Sequence, residues 1–456
     1  METHPGLTRT IARFISQVDT ASIPREDFEQ AKVALLDWLS VLLAGKDEPL
    51  VTKLIRYGAL MGGNAQATIL GHGPKTNVSQ AALINGAMSH ALDYDDSLAQ
   101  FQGHPTVTLY PGLLALSEWK EKNGRDVLSA YLIGLKAGMV IGACAGAEHY
   151  GAGWHGTSTI GRFASTAGCA RLMGLNEQET VYALGLAGTQ ASGLKRVFGT
   201  MCKPYHAGRA SQVGLESVLL AADQFTSAED ILEGVDGFFQ LLKGKENAKA
   251  VASMGQTWET NKLAQKYHAS CHGTHSAIEV VLNMVRKDKL TVPDIKSITI
   301  QTTQTAVAIA GKKTPKTGLE GKFSIYYCVA NALLRGDTGM RAFTDEKVND
   351  PEIKPLMEKI TVVSVPDSSL LGLSARVEVE TLSGKRLEGF SDILNEIPEL
   401  DIKRQKVQTK FMDLCSHLWE GKQAEEIVKT ILVLEEVDSM KGFIEGFNGF
   451  CPSKKR

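Results

Sequence analysis

The chain has 456 residues, 49 basic against 51 acidic, and a formal net charge of −2. With 43% hydrophobic and 22% charged residues its composition is that of a globular protein, so disordered and fibrous classes are excluded. The charge balance argues against nucleic acid as a partner, because neutralising phosphates needs a surplus of Lys and Arg.

The first half reads as helices. Residues 26–45 carry apolar residues at spacings of three and four and then meet Gly45, which predicts a helix with a glycine C-cap. The same pattern predicts helices over 79–92, 110–122, 126–147, 158–173, 177–191 and 208–224. They are rich in Ala, Gly and Leu, and a segment such as A-G-M-V-I-G-A-C-A-G-A marks a helix buried on all sides. After about residue 290 the period changes. I-K-S-I-T-I-Q-T-T-Q and K-I-T-V-V-S-V read as strands, and A-R-V-E-V-E-T-L-S-G-K-R-L-E-G reads as a hairpin with glycine in its turn. Helices over 275–287 and 322–335 lie among these strands, and helices over 401–420 and 423–448 follow. The expected fold is therefore mainly α. A large all-helical domain is made by residues 1–264 and 398–456, and a smaller α/β domain, 265–397, is inserted. No fixed-period repeat suggests a solenoid. A cleft between the two domains is the default place for a site.

The seven cysteines, at 144, 169, 202, 271, 328, 415 and 451, never form C-x-x-C. That pattern predicts a reducing compartment and no disulfide framework, zinc site or iron–sulfur cluster. No apolar run reaches the roughly 18 residues that span a bilayer, so no membrane partner is expected. The opening M-E-T-H-P-G-L-T-R-T-I-A-R lacks a signal-peptide core. A cytoplasmic location is expected, with a mitochondrial leader carrying Arg9 and Arg13 as the alternative. The closing P-S-K-K-R is no lipidation or peroxisomal signal.

Five polar clusters interrupt the apolar helices. The first runs from His90 through Asp93, Asp95, Asp96 and Ser97 to His104-Pro105. Its three carboxylates in four residues repel one another unless solvated, protonated or paired with cations; a solvated loop is the alternative. The second, Gly153-Trp154-His155-Gly156-Thr157-Ser158, precedes an apolar helix, where Thr157 or Ser158 could be a cap. The third, from Lys195 and Arg196 through Lys203 and His206 to Arg209, is the densest positive run in a neutral chain, and would otherwise be a basic surface loop. The fourth is Lys266-Tyr267-His268-Ala-Ser-Cys-His272-Gly-Thr-His275. Its histidines share a face if the segment is helical, but it lacks H-E-x-x-H, and Gly273 suggests a bend. The fifth holds Lys322, Ser324, Tyr326 and Tyr327, with Ser324 and Tyr327 on one helix face and one phenol directed to the cleft.

Taken together the clusters supply carboxylates, imidazoles, ammonium groups, a hydroxyl and a phenol. That inventory suits a small polyanionic acid, because cations hold carboxylates and a poised His or Lys moves a proton beside one. There is no phosphate loop, Rossmann fingerprint or G-x-S-x-G, which favours a cofactor-free lyase or isomerase over redox or phosphoryl transfer.

Five ordered motifs then carry a resemblance across nearly the whole chain: H-A-L-D-Y-D-D-S with the following H-P, G-W-H-G-T-S, G-T-M-C-K-P-Y-H-A-G-R-A, K-Y-H-A-S-C-H-G-T-H-S, and G-K-F-S-I-Y-Y-C-V-A-N-A-L-L-R-G. With them the sequence resembles the MmgE/PrpD family, which includes 2-methylcitrate dehydratases and cis-aconitate decarboxylases. The resemblance implies an all-helical domain with an α/β lid, a homodimer, and catalysis with neither metal nor organic cofactor. Residue by residue it implies catalytic roles for Asp93, His104, His155, Lys203, Lys266 and Tyr327, and places Ser97 in the pocket. His206, Arg209 and His268, from the same clusters, are the expected substrate-binding residues. Ser97 stands where the decarboxylase branch is expected to carry Thr, and the loop from Ser97 to His104 differs in length from that branch. The leading expectation is dehydration of a 2-methylcitrate-like tricarboxylate to an aconitate-type alkene. The alternatives are decarboxylation of cis-aconitate to itaconate, epimerisation of a dicarboxylate, or a catalytically silent binding protein on this fold.

Overall fold

Small residues let helices cross closely, and the computed structural model shows where this happens. It describes residues 6–449 apart from 367–369, 371, 417 and 420; Cys451, the P-S-K-K-R segment and the opening M-E-T-H-P lie outside the described residues. Helix takes 60% and strand 9%, so the fold is mainly α. The chain divides into two units, 1–265 with 399–456, and 266–398.

The first unit opens with α1 (Leu7–Gln17), α2 (Arg25–Ala44) and α3 (Pro49–Met61). A two-residue ladder of β1 (Ala67–Thr68) and β2 (Lys75–Thr76) follows, then α4 (Val78–Ser89), α5 (Thr106–Trp119) and α6 (Gly124–Gly151). Next come α7 (Gly156–Met173), α8 (Glu177–Gly188) and α9 (Cys202–Ala222). Helices α4, α5, α6, α7 and α9 pack on one another and make the core. Where α4 crosses α9, glycine faces glycine: a Cβ on Gly86 would stand 2.8 Å from the Gly208 Cα, and one on Gly208 would stand 2.1 Å from the Leu83 carbonyl oxygen. Larger residues at this crossing would push apart the helix that leads into the acidic motif and the helix that carries Lys203. Helix α6 is long and apolar enough to cross a membrane, but 94% of that apolar window is buried inside the protein.

Several boundaries differ from expectation, each for a local reason. Gly45 does end α2, but at φ −84, so left-handed freedom is not its purpose. An added Cβ there would meet the Met88 carbonyl oxygen at 2.5 Å, so the glycine serves close packing. Helix α5 starts at Thr106 and tolerates Pro111 inside it. Helix α9 starts at Cys202, six residues before the expected start, which places Lys203 and His206 on the helix.

In the second unit α10 (His275–Asp288) precedes the sheet strands β3 (Ile295–Thr303), β4 (Ile360–Val365), β5 (Ala375–Thr381) and β6 (Arg386–Ser391), with α11 (Ile325–Arg335) between β3 and β4. The order is β4-β3-β5-β6, with β3 and β4 parallel and the other pairs antiparallel. The expected hairpin is β5–β6, and Gly384 takes φ 83 in its turn. Helix α11 begins at Ile325 rather than Lys322, because Ser324 caps it by accepting from the Tyr327 N–H.

The chain returns to the first unit as α12 (Leu400–Cys415), α13 (Gly421–Leu432) and α14 (Met440–Gly449). The single helix expected over 423–448 is broken. Val433 leaves helical geometry, and Val437 turns its carbonyl to the Gly124 N–H at 2.8 Å, at the start of α6.

Candidate active site

The loop from α4 to α5 carries His90, Asp93, Asp95, Asp96 and His104, and it is not a solvated loop. His90, Asp95 and Asp96 are each 1% exposed and Asp93 6%. The carboxylates meet the cost of burial in three different ways. Asp93 sits at φ 53, a conformation that Asp tolerates better than most residues, and its Oδ1 accepts from the Lys203 ammonium at 2.6 Å. Asp95 lies between two imidazoles, with Oδ1 2.7 Å from His90 Nδ1 and Oδ2 3.0 Å from His104 Nδ1. Burial pushes the Asp95 carboxyl up, but the two imidazoles outweigh it and hold the group well below the usual carboxylate range. Asp96 makes no ion pair among the described residues. Burial pushes it well above that range, and it accepts from the Thr106 hydroxyl, which also meets the Tyr131 hydroxyl at 2.8 Å.

These contacts settle the His104 tautomer. Its Nδ1 lies 2.7 Å from the Asp96 carbonyl oxygen and 3.0 Å from Asp95 Oδ2. The carbonyl takes the hydrogen bond in line, while the carboxylate stands beside it. Both neighbours are acceptors, so Nδ1 carries the proton and Nε2 of the neutral ring keeps its lone pair. That Nε2 stands 3.8 Å from Asp93 Oδ1, the oxygen that holds Lys203. A basic nitrogen, a carboxylate and an ammonium thus share one chamber in the first unit. The neutral His90 ring likewise donates through Nδ1 to Asp95, while its Nε2 has no hydrogen-bond partner; burial lowers its pKa to about 4.

His155 precedes α7 and is held by its backbone N–H on the Gly193 carbonyl oxygen at 3.0 Å. Neither Thr157 nor Ser158 caps the helix as expected; both are buried inside it, because α7 begins at Gly156. Thr157 Oγ1 instead accepts the His104 backbone N–H at 3.0 Å, so the second motif anchors the first. His155 Nδ1 lies 3.0 Å from His206 Nδ1, so one of these nitrogens donates and the other accepts. Burial, then the charge of Lys203, holds His155 well below the usual imidazole range. Phe198 packs its edge against the His155 ring at 4.8 Å.

Among the expected residues, Asp93, His104, His155, Lys203 and His206 are linked by these contacts. Ser97 pairs its backbone with Ala264 in both directions at 2.9 Å. Arg209 is half-buried and donates to Gln212 Oε1 at 2.5 Å. Lys266, His268 and Tyr327 belong to the second unit. Lys266 is 1% exposed and lies near His275, whose pKa is driven down by burial and by the neighbouring His272, His268 and Lys266. His268 meets the Thr338 hydroxyl at 2.7 Å and Glu279 at 3.2 Å. The segment is not one helix: a 3-10 turn over His272–Thr274 leads into α10. The rings still converge, with His275 4.9 Å from His268 and 4.6 Å from His272. The Tyr327 phenol is fully buried and donates to the Ala342 carbonyl oxygen. Sequence reasoning named His90 and Asp95 as motif members but gave neither a role, and it passed over Arg162. A carboxylate two residues from Asp93, within the same motif, was the available signal for Asp95.

The donor atoms of His90, Asp93, Asp95 and His104 lie within 4.8 Å of one another, near enough for a divalent cation. The set does not fit one well. Asp93 Oδ1 already accepts from the Lys203 ammonium and Asp95 Oδ1 from the His90 imidazole, so an ion would have to displace both contacts and sit beside an ammonium.

Residues 9–250 match the model of the MmgE/PrpD N-terminal domain, and residues 268–436 match that of the MmgE/PrpD C-terminal domain. A cis-aconitate decarboxylase of Aspergillus terreus is 25% identical over 98% of this chain and 97% of its own length. The human cis-aconitate decarboxylase is 22% identical over 95% of this chain and 92% of its own length. The 2-methylcitrate dehydratase of Escherichia coli K12 is 25% identical over 96% of both.

Proposed function

The chain belongs to the MmgE/PrpD family, and from that premise we propose that it is a lyase of small polycarboxylates that removes water from a 2-methylcitrate-like tricarboxylate without a cofactor. The observation that carries this reading is His104 Nε2, left with its lone pair 3.8 Å from the Asp93 oxygen that holds the Lys203 ammonium. Removing a C–H proton beside a carboxylate builds negative charge on a group already negative, so the step needs a base and a fixed cation together. His104 Nε2 takes the proton and Lys203 faces the growing charge. The C–H electrons form the alkene as the C–O bond breaks. The proton now on His104 is the one the departing hydroxide needs, so water leaves and the neutral imidazole returns. His155, kept neutral by burial, orients substrate by hydrogen bonding. Lys266 and Tyr327 enter the reading through the family pattern, and Lys266→Ala tests the first. A homodimer is part of the same reading and is checked by light scattering.

A second reading, decarboxylation of cis-aconitate, is favoured by the names of several relatives. It needs the opposite start: protonated His104 gives its proton to the alkene carbon as the bond to the departing CO₂ breaks. A substrate panel followed by NMR in D₂O tests both readings. Water loss from 2-methylcitrate supports dehydration. CO₂ release from cis-aconitate replaces it with the second reading. Inertness toward every di- and tricarboxylate contradicts both.

A further inference from the structure

On the flank of His206 lies a cavity of about 570 Å³, walled by α7, α9 and residues 189–197. Its cations are Arg162 and Arg209, joined by His206, the Tyr205 phenol and the Gln190 amide, and among the described residues no Asp or Glu lines it. Arg162 is only 5% exposed. Its Nη1 donates to the Ser158 carbonyl and hydroxyl and to the Ser192 carbonyl, and its Nε has no acceptor. Arg209 donates to the neutral Gln212 amide. Two guanidinium groups therefore sit at one cavity with neutral oxygens as their hydrogen-bond partners. Burial, and then the charge of Arg209, lowers the Arg162 pKa to about 10. A buried guanidinium beside a second cation and no counter-charge is costly, and an anion relieves that cost.

We propose that this cavity is a second anion site, taking a small dicarboxylate, and that its occupant sets the tautomer of His155 through His206. Two planar guanidinium groups match two carboxylates. Burial and the Arg162 charge hold His206 neutral, with its pKa at about 4. An anion on the arginines cancels part of that charge and favours protonated His206. Its Nδ1–H then donates across the 3.0 Å contact to His155 Nδ1, which leaves His155 Nε2 as the hydrogen-bond donor. Asp93, His104 and Lys203 are not among the residues that line this cavity, and its binding holds whatever reaction their chamber performs.

The test titrates succinate into the full-length protein carrying Lys203→Ala, which disables the chamber, and follows the ring nitrogens of His206 and His155 by ¹⁵N NMR. A saturable shift of both is expected, with affinity at least tenfold weaker when Arg209→Gln is added and largely kept with Arg209→Lys. Circular dichroism confirms that each variant is folded. The proposal is overturned by the absence of saturation, or by equal affinity in the Arg209→Gln protein. Binding seen with Lys203 intact but lost in Lys203→Ala assigns succinate to the chamber and overturns it as well. Inorganic phosphate binding more tightly than succinate and displacing it overturns the dicarboxylate assignment.

Discussion

Two regions of this molecule gather buried histidines, and they differ in what holds them. In the first unit His90 and His104 flank Asp95, and His104 is left with a basic nitrogen beside the Asp93–Lys203 pair. In the second unit His268 has one nitrogen at Thr338 and the other at Glu279, while His275 has Nε2 at the Ser270 carbonyl oxygen. The lesson is that histidine density alone does not specify chemistry. A carboxylate or carbonyl at Nδ1 decides which nitrogen keeps a lone pair, as at His104, whereas His268 has both ring nitrogens engaged by neighbouring side chains.

The sharpest way to break this comparison is to remove the chamber's cation. Lys203→Ala should slow turnover about 100-fold, roughly 3 kcal/mol of barrier, while the protein stays folded. Steady-state kinetics on the accepted substrate checks this, and near wild-type turnover would falsify the role given to Lys203.

Acid should unfold the first unit in a definite window. The His90 pKa is lowered from 6.5 to about 4 in the folded state, and that of His206 similarly. Between those values the unfolded chain binds protons that the folded one refuses. Stability is therefore fully present above about pH 6.5 and falls as pH drops toward 4, with His90 contributing on the order of 3 kcal/mol. The depressed carboxyl of Asp95 adds to the loss once pH falls below the ordinary carboxylate value. Urea unfolding midpoints at pH 7, 5.5 and 4.5 read the effect, and a flat profile would contradict it.

Asp95→Asn keeps the shape but removes the charge beside both imidazoles. We expect about a tenfold loss of turnover, since general-base efficiency follows the basicity and orientation of the ring. The informative readout is the His104 ring-nitrogen shifts, where a mixed tautomer population should replace the single Nδ1–H form. An unchanged tautomer and pH profile would reduce Asp95 to packing.

The smallest effect belongs to the other histidine cluster. His268→Ala removes the contacts to Glu279 and Thr338 and should lower the stability of the second unit by about 1 kcal/mol. Hydrogen exchange over residues 266–398 measures it, and unchanged protection there would show that those contacts contribute nothing.

Periodicity made the helices and the β5–β6 hairpin legible, because each is set by local spacing and by one turn glycine. The start of α9 was harder to place: the basic, Pro-punctuated run resembles a loop until Gly208 is seen against Gly86. The break between α13 and α14 was invisible, since the carbonyl that fixes it pairs with Gly124, more than 300 residues earlier in the chain. At the site, motif membership exposed Asp93, His104, His155 and Lys203. The division of labour among the three carboxylates was not legible, because it depends on which imidazole, ammonium or hydroxyl each one meets in space. Arg162 escaped notice inside an apolar helix, where only its neutral partners and the cavity beside it distinguish it.

The most direct measurement compares wild type with His104→Gln on 2-methylcitrate in D₂O, followed by proton NMR. The wild-type protein should release alkene and water, and the folded variant should be slower by about 10²–10⁴-fold, the usual range for a lost general base. A His104→Gln protein within tenfold of wild type would show that the nitrogen beside Asp93 and Lys203 is not the one that takes the proton.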